Sequence, residues 1–183
     1  MAYDVAVLIG SLRKESLTRK LVEALKTIAP ENLKLDVVEI GQLPHFNQDF
    51  EAAPPQEVTT FKARIEKADA VLFATPEYNR SVPGVLKNAI DTGSRPYGKS
   101  SWNGKPAAVI SISQGNLSGF GANHHLRQSL VFLNMPTLAQ PEAYLAQAQT
   151  LLTPEGVFAK PETAAFMTGF LSAFESWIRR NSA

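Results

Sequence analysis

The chain has 183 residues, 44% of them hydrophobic and 19% charged, with a formal net charge of +1. That length suits one domain over residues 1–183, and that balance is an ordinary globular one needing neither disulfides nor a metal to fold. Cysteine is absent, which excludes disulfides, thiolate metal sites and a cysteine nucleophile. No apolar run approaches the roughly 20 residues of a membrane span and no signal-peptide pattern opens the chain, so a cytoplasmic protein is expected. There is no dense basic stripe for nucleic acid. The three histidines, two of them adjacent at His124 and His125, lack metal-ligand spacing.

The stretch Val5-Ala6-Val7-Leu8-Ile9 is five apolar residues in a row, the pattern of a strand covered on both faces. Gly10 permits a sharp turn, and a helical pattern with Leu17, Leu21, Ala24, Leu25 and Ile28 on one face follows. Ser11, Arg13, Ser16 and Thr18 lie between. A helix N-terminus carries unpaired N–H groups and about half a positive charge, so three hydroxyls and a guanidinium there suit a phosphate. Ser16 or Thr18 would also serve as an ordinary helix cap, with Arg13 a solvated loop cation.

Leu33–Glu39 alternates as an outer strand would. Residues 40–55, with three prolines, read as a long functional or partner-facing loop. Pro54-Pro55 introduces a helix whose inward face is Val58, Phe61, Ile65 and Ala68. Asp69–Thr75 is a second buried strand, ending in Pro76-Glu77-Tyr78-Asn79-Arg80-Ser81-Val82-Pro83-Gly84. A helix starts near Pro83, taken as a first-turn residue with Ser81 or Val82 near the cap, and runs to about Asp91. Ala107–Ile112 is a third buried strand, opening into a loop from Ser113 to Gly121 and a helix with Leu126, Leu130 and Leu133 inward. A short last strand is expected near Thr137-Leu138-Ala139 and loop over 141–161. The terminal helix carries Phe166, Phe170, Phe174, Trp177 and Ile178 at offsets 0, 4, 8, 11 and 12. Strand and helix alternating throughout predict a three-layer α/β fold around a parallel sheet.

In such a sheet the ligand sits beyond the carboxyl ends of the strands, where strand order reverses. The three notable loops leave from that edge. The first suits phosphate. The second offers Tyr78 as an aromatic wall and Asn79 as a hydrogen-bond partner. The third offers Ser113 and close backbone approach at Gly115. A phosphorylated flat heteroaromatic such as FMN would use all three.

Gly10-Ser11-Leu12-Arg13-Lys14-x-Ser16, Pro76-Glu77-Tyr78-Asn79-x-Ser81-Val82-Pro83-Gly84-x-Leu86-Lys87-Asn88-Ala89-Ile90-Asp91 and His125-Leu126-Arg127-Gln128 resemble the NADPH-dependent FMN reductase family, and within it the bacterial quinone and chromate reductases. The resemblance implies a flavodoxin-like fold: a doubly wound, five-stranded parallel sheet of order 2-1-3-4-5. It implies bound FMN, a homodimer or homotetramer, and two-electron transfer from NADPH or NADH to quinones or other acceptors (chromate, azo or nitro compounds, free flavin). Family phosphate contacts fall on Ser11, Arg13, Ser16, Leu17 and Thr18. Contacts to the ribityl chain and ring fall on Pro76, Glu77, Tyr78, Asn79 and Ser113, with Gly115 beside them. Leu17-Thr18 stands where relatives often carry Phe-Asn, and Arg80 where they often carry an aromatic residue. On the substrate side Tyr78 would line the face, and Arg80 or Arg95 would attract dinucleotide phosphates or an anionic acceptor. Arg95 is equally a solvated loop cation. No catalytic side chain is expected, since the cofactor carries the hard step. Subunit contacts would use residues 40–55 and the segment from His124 to Gln128, the second equally a solvated helix face. A flavodoxin-like electron carrier is the rival reading, opposed by the absence of strong acidity. The missing cysteine removes a thiolate phosphatase, and no Gly-x-x-x-x-Gly-Lys-Ser/Thr pattern suggests a nucleotide kinase.

Overall fold

Three apolar runs become the middle of the sheet. In a computed structural model, which describes residues 2–182, β1 (Tyr3–Ile9), β3 (Ala70–Thr75) and β4 (Ala107–Ile112) lie side by side, and β3 and β4 are buried along their whole length. A fully buried Val, Leu or Ile contributes roughly 1.5–3 kcal/mol relative to leaving it in water, so these three strands dominate the stability of the sheet. β2 (Leu33–Val38) pairs with β1 at one edge and alternates buried with wetter positions, as its polar residues require. All pairings are parallel, and the order is β2-β1-β3-β4-β5. That is the flavodoxin-like doubly wound order, with its reversal between β1 and β3.

Helices cover both faces. On one, α1 (Leu17–Ile28) and α5 (Pro161–Asn181) pack Leu21, Leu25, Met167, Phe170, Leu171 and Phe174 against Val5, Val7, Leu72 and Ile110. On the other, α2 (Gln56–Lys67), α3 (Gly84–Gly93) and α4 (Phe120–Phe132) bring Phe61, Ile65, Leu86, Ile90, Leu126 and Leu130 onto Ala6, Leu8, Phe73 and Val109. Trp102 is completely buried in this second core, its indole N–H donating to the carbonyl of Ile90 at 2.8 Å. Arg64 of α2 ties the sheet edge down, donating to Asp4 of β1 and Asp36 of β2 at 2.7 and 2.8 Å.

Several local expectations are corrected. The last strand is β5 (Ala143–Leu145), six residues beyond the expected Thr137; Thr137 makes only an isolated bridge to Ala107. Residues 141–161 are therefore not all loop, and they also hold a 3-10 turn at Ala148–Thr150. Pro83 is the cap of α3 itself, just outside the first turn. Phe166 is 40% exposed, and the inward row of α5 instead takes in Met167 and Leu171. Residues 40–55 are not wholly irregular, since Gln48–Glu51 forms a 3-10 turn capped by Asn47. Gly10 has a backbone open to other residues. What favours glycine there is space, because a Cβ would sit 3.1 Å from both Pro76 Cδ and Thr75 Oγ1.

Candidate functional site

The strand-order reversal places the loops after β1 and β3 next to each other, and the Gly10 N–H donates to the carbonyl of Ala74 at 2.9 Å. In the first loop Ser16 is the cap of α1, its Oγ accepting from the Arg19 N–H at 3.2 Å. Ser11, Ser16 and Thr18 are all nearly buried, while Arg13 is exposed and makes no salt bridge among the described residues. The first turn of α1 carries no acidic residue. Glu15, just before it, is held by Lys20, which keeps its carboxyl below the usual range and its charge balanced. The positive end of the helix is thus left unopposed for an anion.

The second loop is shaped by one tight turn. Tyr78 and Ser81 exchange backbone hydrogen bonds of 3.1 and 3.0 Å, and the two residues between them, Asn79 and Arg80, have φ of +51° and +64°. Positive φ at both central positions is the type I′ geometry, ordinarily given to Asn-Gly. Asn79 meets that preference and Arg80 does not, so strain is held beside the site. Glu77 anchors the turn: its Oε2 accepts from the Ala122 N–H of α4 at 3.0 Å, and its Oε1 lies 3.5 Å from the Arg80 guanidinium. Tyr78 stays 49% exposed.

The third loop is tied to the edge of the sheet. The Ser113 N–H donates to the carbonyl of Leu145, and the Ser113 carbonyl accepts from Ala148 at 3.0 Å. The Ser113 hydroxyl donates to the carbonyl of Gly115 at 3.0 Å.

Between the three loops lies a cavity of about 200 Å³. Nine of the sequence-derived cofactor residues line it: Ser11, Arg13, Ser16, Leu17, Thr18, Pro76, Glu77, Tyr78 and Ser113. Asn79 and Gly115 stand outside its wall. A Cβ on Gly115 would meet nothing nearer than Ser113 Oγ at 3.9 Å, so no close approach within this chain demands glycine there. Of the substrate-side residues Tyr78 is in the cavity, and Arg80 is next to it, exposed and beside Glu77. Arg95 is not brought here. It pairs with Glu51 at 2.7 Å, its guanidinium 5.9 Å from the centre of the Phe46 ring, in a different cavity. Ile112, Gln114 and Ala148 line the site without having been singled out. For Ile112 and Gln114 the signal was their adjacency to Ser113; for Ala148 there was none, because the strand before it was placed too early.

The chemistry of the donor set fits FMN: hydroxyls and a free guanidinium around a helix start at one end, an aromatic ring, a prolyl ring and a carboxylate held by a helix N-terminus at the other. Residues 3–150 match the family model for NADPH-dependent FMN reductase. The chain is 56% identical over 182 residues to a quinone reductase of Pseudomonas putida, covering 99% of this chain and 97% of that one. It is 40% identical to a 2-hydroxy-1,4-benzoquinone reductase of a Burkholderia species, with 98% of each covered. Among solved structures, the flavoenzyme NAD(P)H:(acceptor) oxidoreductase FerB from Paracoccus denitrificans superposes with a TM-score of 0.93 at 44% identity, over the whole of both chains. The chain belongs to the NADPH-dependent FMN reductase family.

Proposed function

We propose that this protein passes two electrons from NADPH or NADH through bound FMN to quinones, and to other acceptors such as chromate, azo or nitro compounds and free flavin. The two substrates take turns at one face in ping-pong order. The proposal extends to one cytoplasmic domain, 1–183, working as a homodimer or homotetramer. The observation that carries it is the cavity at the strand-order reversal, where three buried hydroxyls and Arg13 surround the start of α1 while Tyr78 walls the other end.

Ser11, Arg13, Ser16, Leu17 and Thr18 would hold the phosphate, with the guanidinium offering charge-assisted hydrogen bonds. Pro76, Glu77, Tyr78, Asn79, Ser113 and Gly115 would position the ribityl chain and ring. When bound, FMN supplies hydride acceptance and two-electron delivery. The protein's own share is placement: Tyr78 shapes the face where visitors stack, and Arg80, 69% exposed, attracts the phosphates of a dinucleotide or an anionic acceptor. No side chain is asked to act as an acid or base.

An absorption spectrum tests this reading. Purified protein mixed with FMN and freed of excess is expected to be yellow, to bleach with NADPH under nitrogen, and to recover its colour with benzoquinone. Protein that stays colourless after FMN would overturn the cofactor assignment. Coloured protein that NADPH cannot bleach would overturn the turnover and leave an electron carrier.

A further inference from the structure

Three contacts from one side of α4 meet the loop after β3. The Glu77 carboxylate accepts from the Ala122 N–H at 3.0 Å, and the Arg80 carbonyl oxygen would be 2.7 Å from a Cβ on Gly121. Ser81 Oγ lies 3.0 Å from Nδ1 of His125, a hydrogen bond the hydroxyl can make as donor or acceptor. Positions 121, 122 and 125 are neighbours on one side of the helix. The first two contacts use α4 backbone. The third depends on the side chain at 125.

α4 is a firm base for that side chain. Ala122 and Leu126 are fully buried. Asn123, also fully buried, donates to Ser111 Oγ of β4 at 3.2 Å and accepts from Arg127 Nε at 2.8 Å. Arg127 donates onward to the Leu138 carbonyl at 2.9 Å. In the run His125-Leu126-Arg127-Gln128 the leucine and arginine thus fasten the helix, and the histidine reaches the turn.

The turn gains from being held. Asn79 and Arg80 both have positive φ, and the strain of one such non-glycine residue is of the same order as one ordinary hydrogen bond. Without the tie to Ser81, strain at Arg80 favours opening the backbone exchange between Tyr78 and Ser81. Tyr78 lines the flavin cavity, while Ser81 and His125 line a separate cavity of about 250 Å³. The turn therefore carries a pull made on one side across to the aromatic ring on the other.

We infer that His125 is a positioning residue: through Ser81 it keeps the 78–81 turn closed and Tyr78 at the wall of the flavin cavity. This role rests on the function proposed above.

Amide exchange of Tyr78 and Ser81, whose N–H groups each donate to the other's carbonyl, is measured by NMR on the full chain without FMN. His125→Ala is expected to speed both about five- to tenfold while the amides of residues 126–130 keep their rates. Ser81→Ala breaks the same bond from the other end and is expected to speed the Tyr78 amide equally. His125→Asn keeps a polar atom near the Nδ1 position and is expected to restore the slow rates within twofold. In an Arg80→Gly background the Asn-Gly turn closes unaided, and His125→Ala is expected to change the rates less than twofold. In FMN-loaded protein, His125→Ala is expected to raise KM for NADPH about fivefold with kcat unchanged, and His125→Asn to recover it. Unmoved amide rates overturn the inference, as does equal acceleration in the Arg80→Gly background. Faster amides with an unchanged KM overturn the link to Tyr78. Protein that stays colourless with FMN overturns the proposed function and this role together, whereas coloured protein with unmoved amides overturns the role alone. Should His125→Ala fail to fold, Ser81→Ala decides by the same rates and the same KM.

Discussion

The carboxylate of Glu77 accepts a hydrogen bond from the backbone N–H of Ala122, 3.0 Å away, and so fastens the loop after β3 to the first turn of α4. The contact needs a bare backbone beside it: a Cβ on Gly121 would lie 2.7 Å from the Arg80 carbonyl oxygen and 2.9 Å from Glu77 Oε2. Gly121→Ala is therefore expected to lose about 1–2 kcal/mol despite alanine's better helix propensity, because overpacking against backbone outweighs it. Gly169→Ala, at an exposed position of α5 with open space around its Cβ, is expected to gain about 0.5–1 kcal/mol. Urea unfolding of the two variants checks the opposite signs, and equal signs would refute the packing argument.

Arg80 separates strain from recognition. Its φ of +64° costs about 1 kcal/mol that glycine would not incur, and its exposed contact with Glu77 at 3.5 Å returns little. Arg80→Gly is expected to raise stability by about 0.5–1 kcal/mol in a denaturant melt. A raised KM for NADPH with kcat unchanged would place the dinucleotide against this side chain. An unchanged KM would remove Arg80 from the substrate set.

In the proposed function Arg13 and Thr18 would act on the same anion by different means. Arg13→Ala removes a charge from an exposed position, so FMN affinity is expected to fall about 10- to 100-fold while ligand-free stability stays within about 0.5 kcal/mol. Thr18→Val removes one hydroxyl from a buried position, and about a tenfold loss is expected. Fluorescence titration of FMN measures both, and raising the salt is expected to narrow the gap between wild type and Arg13→Ala.

Tyr144 provides a pH signature. Burial first, and the neighbouring Glu142 carboxylate second, push its phenol up to about 12, while its oxygen lies 3.0 Å from His124 Nε2. A phenol whose folded value exceeds its unfolded value of about 10 favours folding below pH 10 and loses that contribution as pH rises from 10 towards 12. Absorbance at the tyrosinate band is expected to show a late-titrating phenol among the four tyrosines. Tyr144→Phe is expected to remove that phase and flatten the decline of the urea midpoint between pH 10 and 12.

Unbroken apolar runs made β1, β3 and β4 legible, and with them the sheet edge from which the site loops leave. β5 was not legible, because three residues, Ala143-Tyr144-Leu145, have no period to read and are paired to β4 alone. Ala148 was lost with it, although its N–H fixes the Ser113 carbonyl. The first loop could be read because hydroxyls, a guanidinium and a helix start are contiguous in the chain. Arg95 shows the converse: its partner Glu51 is 44 residues away, and no local pattern announces that pairing. The left-handed backbone at Arg80 was equally hidden, since arginine is not a turn residue and only the exchange between Tyr78 and Ser81 imposes it.

The narrow gap over Gly10 has an evolutionary consequence. With only 3.1 Å between a would-be methyl and both Pro76 and Thr75, the loops after β1 and β3 meet along one seam, and a side chain at Gly10 would push on the second loop as well as the first. Asn116 and Leu117 face solvent and line no part of the cavity between the loops. New tastes in oxidant are cheapest to acquire there, where the chain can drift while the pigment stays put.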